Sequence, residues 1–175
     1  MSKLMNRTST ATVDANITTS VNSPASTYCG RGGNIPDGVA SFQDEIVVTE
    51  NIAISNVTVT LNHLEHTWVG DLIAQLRHVE TGVVVDLFRR PGQPQFSASG
   101  YSNDLNGDYS FNDNFSHSFD SVAGSHAVIP SGEYCATQPL SVFKGHSSAG
   151  TWQLIINDCS AGDSGSLESW TLNLE

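Results

Sequence analysis

The chain has 175 residues, 38% of them apolar, and 18 acidic against 7 basic side chains give a formal net charge of −11. This length suits one domain, or one domain and a tail. An acidic surface repels phosphate backbones, which argues against nucleic acid as a partner. No apolar run approaches the roughly 18 residues that a membrane helix needs, so we expect no membrane span.

The N-terminal 25 residues are rich in Ser, Thr and Asn, and they are predicted to be a linker or loosely ordered lead-in. Residues 26–175 are predicted to form a single domain, which begins with a glycine-rich loop over 26–38. Residues 1–12 lack the apolar stretch of a signal peptide, so we expect a removed signal or a longer precursor.

Three cysteines, Cys29, Cys135 and Cys159, lack the spacing of a zinc knuckle. They allow one disulfide and one free thiol, or no disulfide, and the sequence leaves the pairing open. A disulfide would fit an oxidising compartment.

Apolar and polar residues alternate with a period of two in five segments, at 57–61, 72–76, 83–87, 152–156 and 170–174. Such alternation is typical of strands with one face on a core. Glu80-Thr81-Gly82 is expected to be a hairpin tip, and 89–100 a long loop. The pattern predicts an all-β, jelly-roll β-sandwich of about eight or more antiparallel strands, with little or no helix.

The string Gly162-Asp163-Ser164-Gly165 matches the nucleophile string of chymotrypsin-like serine proteases in four positions. That chemistry also needs a histidine base, an aspartate that orients it and an oxyanion hole. The next residue is Ser166 where those proteases have glycine, and no histidine occupies their Ala-Ala-His-Cys setting. We therefore interpret the string as a turn before the last strand and predict no catalytic residue.

Acidic side chains recur in Gly- and Asn-bearing loops, an arrangement that suits a hard cation such as Ca²⁺ with its six to eight oxygen ligands. The candidate ligands are Asp71, Asp104, Asp108, Asp113, Asp158 and Asp163. The hairpin places Asp71 beside Arg89, and the loop that follows leads to Asp113, so Asp71 and Asp113 could meet at one end of the sandwich. The alternative is that these residues only cap turns.

Several segments together resemble the P domain, or Homo B domain, of proprotein convertases and of bacterial secreted subtilisin-like proteases. They are His-Thr-Trp-Val-Gly-Asp-Leu at 66–72, Asp-Asn-Phe at 113–115, Phe-Asp at 119–120, Pro-Leu-Ser-Val-Phe-Lys-Gly at 139–145, Gly-Thr-Trp-Gln-Leu at 150–154 and the stretch 157–172. Ile-Pro-Asp at 35–37 is similar to the opening of bacterial members. Residues 104–111 look like an insertion, and Ser121 replaces a second Asp.

The resemblance implies a non-catalytic accessory domain of a secreted protease precursor, whose parent is a serine endopeptidase and whose main partner is the attached catalytic domain. Its role would be to support folding and stability of the protease in the extracellular space, with Ca²⁺ in the acidic loops. The alternative is a stand-alone adhesion or substrate-binding module for collagen or polysaccharide, using exposed aromatic residues such as Trp68, Tyr101 or Tyr109. Trp152 and Trp170 begin inward-facing alternations and are expected in the core.

Overall fold

The computed structural model describes residues 25–38 and 40–175, so the predicted lead-in lies outside it apart from Ala25. The described chain forms ten strands and one short helix. The strands are β1 (Ser26–Ile35), β2 (Ser41–Val48), β3 (Val57–His66), β4 (Leu72–His78), β5 (Val83–Arg89), β6 (Asp104–Phe111), β7 (Val128–Ile129), β8 (Gly132–Tyr134), β9 (Gly150–Asp158) and β10 (Gly165–Leu174). The helix α1 spans Phe119–Ala123, and two short 3₁₀ turns span Val69–Asp71 and Leu140–Phe143.

Two sheets make a β-sandwich, which confirms the all-β prediction. One sheet has the order β1-β10-β3-β6-β7, with β8 also paired to β6, and the other has the order β2-β9-β4-β5. Eight strands pair antiparallel, as expected, and the short strands β7 and β8 run parallel to β6. After β6 the chain passes through α1 and returns to the residues that begin β6. There Val128 of β7 pairs with Asp104, so β7 runs in the same direction as β6.

The five segments with period-two alternation lie in the strands β3, β4, β5, β9 and β10, and their alternating apolar residues are buried between the sheets apart from the partly buried Val83. Trp152 and Trp170 are fully buried there, as expected. The indole N–H of Trp152 donates to the carbonyl of Ser148 at 2.9 Å, so its one polar atom is satisfied. Thr81 and Gly82 lie between β4 and β5, which confirms the hairpin tip.

The glycine-rich segment 26–38 is not a loop: residues 26–35 form β1, which pairs with β10 along its length. Glycine is used here because a neighbour occupies the side-chain space. A Cβ on Gly30 would lie 1.9 Å from Nε1 of Trp170, and one on Gly32 would lie 2.0 Å from the carbonyl oxygen of Leu167. β1 is rich in glycine because it approaches β10 closely at Trp170 and Leu167. This glycine content is the reason why the sequence pattern did not predict a strand here.

The Asp- and Asn-rich segment at 104–108 is also a strand rather than an ion-binding loop. In β6 the side chains of Leu105, Tyr109 and Phe111 point into the core, while Asp108 is exposed. Asp108 accepts a hydrogen bond from the backbone N–H of His63 at 2.7 Å, where the register of β3 against β6 shifts. His63 has a φ of 47°, so Asp108 caps a β-bulge in the neighbouring strand.

The three cysteines, all within the described ranges, are free. Cys29 lies exposed on β1 and Cys159 lies exposed just after β9. The sulfhydryl of Cys135 is within hydrogen-bonding distance of the carbonyl of Phe115, at 2.6 Å. A disulfide therefore does not contribute to this fold.

Candidate functional site

A cluster of charged and polar side chains, all buried except the partly exposed Arg90, lies where β3 ends, β4 begins and β9 ends, and is called here the polar end. Its members are His66, Asp71, Arg90 and Asp158. His66 and Asp158 have fully buried side chains, with His66 Nε2 at 3.1 Å from Asp158 Oδ2. The other ring nitrogen, Nδ1, accepts a hydrogen bond from the backbone N–H of Trp68 at 3.1 Å. Both nitrogens of the imidazole are thus occupied.

The second pair in the polar end is Asp71 with Arg90. Asp71 is the last residue of the 3₁₀ turn that joins the two sheets, and its Oδ1 lies 3.6 Å from Nη2 of Arg90. Arg90 also donates to the carbonyl of Gly70 at 3.0 Å and to the hydroxyl of Ser160 at 3.2 Å. A buried carboxylate is stable only if it is paired and hydrogen-bonded, and Arg90 supplies the opposite charge.

The string 162–165 lies beside the polar end and forms the turn that leads into β10. Gly162 has a φ of +119°, in the region that favours glycine. A Cβ on Gly165 would lie 2.5 Å from Cδ2 of His66, so this glycine is required for packing. Asp163 accepts a hydrogen bond from the hydroxyl of Thr67 at 2.7 Å and thereby anchors the turn to the end of β3.

Ser164 lacks the partners of a nucleophile. It is exposed, and no described histidine makes a hydrogen bond to its hydroxyl. His66 is the near histidine, but Asp158 and Trp68 already hold its two nitrogens. Without a base Ser164 cannot be activated, so the turn interpretation is preferred on geometric grounds.

The expectation that Asp71 and Asp113 meet is wrong, because the structure places them at opposite ends of the sandwich. Asp113 follows the end of β6, next to the start of β3, whereas Asp71 lies beyond the end of β3. The two carboxylate oxygens of Asp113 accept hydrogen bonds from the backbone N–H groups of Leu140 and Ser141, both at 2.8 Å. Asp113 thus caps the 3₁₀ turn there.

The structure does not bring the six candidate ligands together at one place. Asp104 and Asp108 are four residues apart on one strand, which separates them by about 13 Å. Five of the carboxylates bind the chain itself: Asp71, Asp108, Asp113, Asp158 and Asp163. Among the described residues, no group of three His, Cys, Asp or Glu side chains is placed to hold a metal ion. Calcium binding therefore stays a prediction from the sequence.

Sequence reasoning did not identify His66 and Arg90 as the partners of the buried carboxylates. His66 is the first residue of the motif at 66–72, and that motif was the one feature of the sequence that could have identified it. Arg90 has no comparable signal, because its neighbour Arg89 is the same residue type and pairs with Asp86 instead. The two arginines face different partners because Arg90 has a φ of 40°, which turns the chain after β5.

The proprotein convertase P-domain family model matches residues 54–174. The chain belongs to this family. The match covers β3 to β10 and every residue of the polar end, so the segment 66–72 of this P domain supplies His66 and Asp71 to that cluster. β1 and β2 lie before the matched range.

Two solved structures are similar to this chain. One is the serine protease of Aeromonas sobria in complex with a chaperone, with 17% identity and a TM-score of 0.50. The other is the serine protease of Aeromonas sobria alone, with 15% identity and a TM-score of 0.46. Each covers 87% of this chain, which spans 27% of each protease chain. No curated protein matches the sequence. In the described part of the chain, no helix has the length and apolar character to cross a membrane.

Proposed function

We propose that this P domain is an accessory module of a secreted serine protease, and that it supports the folding and stability of the attached catalytic domain. The family match over 54–174 carries this proposal. The first similar structure is a serine protease, of which the sandwich accounts for about a quarter, and this supports a protease context.

The proposal assigns no catalysis to the domain. Ser164 has no available base, and at the polar end His66 is paired with Asp158 and Asp71 with Arg90. These groups hold the loops at one end of the sandwich in a single arrangement, which suits a module that must present a fixed surface to a neighbouring domain.

The test compares the protease that carries this domain with the same protease lacking residues 26–175. We expect the complete protein to fold in higher yield and to lose activity more slowly on heating. A fluorophosphonate probe should label the catalytic domain and leave Ser164 unlabelled, as read from peptide masses. Equal yield and equal half-life with and without the domain would overturn the supporting role, and labelling of Ser164 would overturn the non-catalytic assignment.

Calcium is tested separately, through the melting temperature in millimolar Ca²⁺ and in chelator. A rise in Ca²⁺ would support the prediction, because an ion that binds only the native state stabilises it. The contacts of Asp71 predict that Asp71→Asn lowers the melting temperature by the same amount in both solutions, since the variant loses its pairing with Arg90. A loss confined to the Ca²⁺ solution would instead make Asp71 a ligand.

A further inference from the structure

We propose that the free edge of β1, with the groove beside it, binds an extended basic segment of another protein as an added antiparallel strand. β1 is the outer strand of its sheet, since among the described residues it pairs with β10 and with no other strand. The groove between β1 and β2 is lined by residues 27–31 and 44–47 and has a volume of ≈620 Å³. This inference is independent of the accessory role proposed above.

The contact of Arg31 shows which backbone groups of β1 face the groove. Its N–H donates to Oδ2 of Asp44 on β2 at 2.7 Å, so it points away from β10. Backbone groups change direction at each residue of a strand, so those of Thr27 and Cys29 also point away from β10. They have no hydrogen-bond partner among the described residues. A row of free N–H and C=O groups is a template on which another strand can pair.

The edge strand β5 of the other sheet is covered, in contrast to β1. The backbone N–H groups of Thr137 and Gln138 donate to the carbonyls of Leu87 and Asp86, at 2.9 and 3.0 Å. On β1 the corresponding cover is limited to the bond between Asp44 and Arg31. Residues 27–29 also carry no proline and no lysine, which are common protections of an edge strand. The described chain therefore leaves this part of β1 open to pairing.

The side chains around the groove favour a basic segment. Tyr28 faces inward, where it packs against the core, and its hydroxyl donates to Oε2 of Glu50 at 3.0 Å. Asp44 and Glu45 line the β2 side, and Arg31 is the one cation among the described lining residues. Carboxylates thus outnumber cations here, in a chain with a net charge of −11. Lysine or arginine side chains complement this charge.

An added strand would place its own side chains alternately on the two faces of the sheet. Residues opposite Thr27 and Cys29 would share the outer face, where the Thr27 hydroxyl donates to Oδ1 of Asn173 at 2.7 Å, so small polar side chains fit there. The residues between them would lie on the face of Tyr28. Val47, which is 68% exposed and lines the groove, offers apolar surface to the methylene groups of a lysine.

The test titrates the complete chain by calorimetry with an acetylated, amidated hexapeptide of alternating threonine and lysine. We expect saturable binding that weakens with added salt, because exposed charges are screened, and no binding of the threonine–glutamate counterpart. Methylation of the threonine nitrogens removes the N–H groups that would pair with β1 and should weaken binding about tenfold. Methylation of the lysine nitrogens, which would point away from β1, is the matched control and should leave the affinity unchanged.

Variants of the edge test the same contacts from the protein side. Thr27→Pro and Cys29→Pro each remove one outward N–H and keep the pairing with β10, and each should weaken binding about tenfold. Thr27→Ala and Cys29→Ala keep that N–H and should bind normally. Glu50→Gln should weaken binding about two- to fivefold, as expected for an exposed charge pair. Glu133→Gln, which changes an exposed carboxylate on β8, is its control.

Several outcomes would overturn strand addition by a basic segment. They are no saturable binding of the lysine peptide, equal binding of the glutamate peptide, and equal affinity for the two methylated peptides. Self-association of the chain that Thr27→Pro abolishes would assign the edge to a second copy instead. Peptide binding only by a chain that starts at Ser26 would assign it to the N-terminal segment.

Discussion

Asp86 lies on the outer face of the four-stranded sheet and is held by two neighbouring side chains. Burial by itself raises the pKa of Asp86, but hydrogen bonds from Arg89 and Gln75 and the charge of Arg89 outweigh it, so the net shift is downward. Nε of Arg89 lies 2.5 Å from Oδ2, and Nε2 of Gln75 lies 2.6 Å from Oδ1. The ionised form of Asp86 is therefore favoured by the folded state.

This shift predicts a pH dependence of the free energy of unfolding. Because the pKa of folded Asp86 lies below the ordinary value of 3.8, its contribution is complete above that value and is lost as the pH falls through the lower, folded value. Asp86→Asn should therefore be less stable than the parent chain at neutral pH, and the difference should shrink in acid. Urea unfolding at a series of pH values measures it. A difference that stays constant into acid would contradict the prediction.

Individual residue types could be predicted from the sequence better than their partners. The sequence singled out Asp71 and Asp158 as candidate Ca²⁺ ligands in loops, and the structure shows both side chains buried. Their partners His66 and Arg90 come from other strands and loops, up to 92 residues away along the chain. A carboxylate in a glycine-bearing loop looks the same whether it binds an ion, an arginine or a backbone amide, and only the packing decides.

At the scale of elements, the position of β1 depends on glycine, because a side chain at Gly30 would clash with its neighbour. Gly30 lies directly against the indole of Trp170, whose Nε1 donates to Asp44 Oδ2 at 2.8 Å. The same oxygen accepts the backbone N–H of Arg31 at 2.7 Å. Asp44 on β2 thus ties β1 to β10 and joins the adjacent edges of the two sheets.

Gly30→Ala should displace the indole of Trp170 and weaken its bond to Asp44. Overpacking of this kind costs about 1–3 kcal/mol. The measurement is urea unfolding followed by tryptophan fluorescence, with a shift in the native emission expected as the indole moves. Gly132→Ala is the matched control, because its Cβ would meet Tyr134 at an ordinary 3.4 Å. Equal unfolding midpoints for the two variants would show that β1 can move away from the tryptophan.

Element prediction succeeded where side chains alternate and failed where glycine or aspartate conceals the alternation. The segments 57–61, 72–76, 83–87, 152–156 and 170–174, which lie in β3, β4, β5, β9 and β10, carry apolar residues at every second position. In β6 the inward residues Leu105, Tyr109 and Phe111 also alternate, but Gly107 interrupts them and the outward positions carry Asn and Asp. The turn-forming residues of β6 therefore led to the prediction of a loop, although its inward residues alternate as in a strand.

At the scale of the whole molecule, the family match and the folded unit do not coincide. The match begins at residue 54, whereas β1 and β2 lie before it. β1 covers the whole edge of β10, and β2 pairs with β9 from Ser41 to Val48. Ile35, Phe42 and Ile46 from these strands are buried in the common core. The sandwich architecture could be predicted from alternation, but the strand order depends on long-range pairing that no local pattern records.

A chain that begins at residue 54 should therefore not reproduce the stability of one that begins at Ser26. Loss of β1 and β2 would remove buried apolar side chains and leave the edges of β9 and β10 unpaired. Exposed edge strands of this length promote aggregation. Urea unfolding and analytical ultracentrifugation of the two chains provide the measurement, with the Ser26 chain as the matched control. We expect a lower unfolding midpoint and self-association for the shorter chain. A monomer that unfolds at the same midpoint would show that β3 to β10 form the complete cooperative unit and that β1 and β2 do not contribute to its stability.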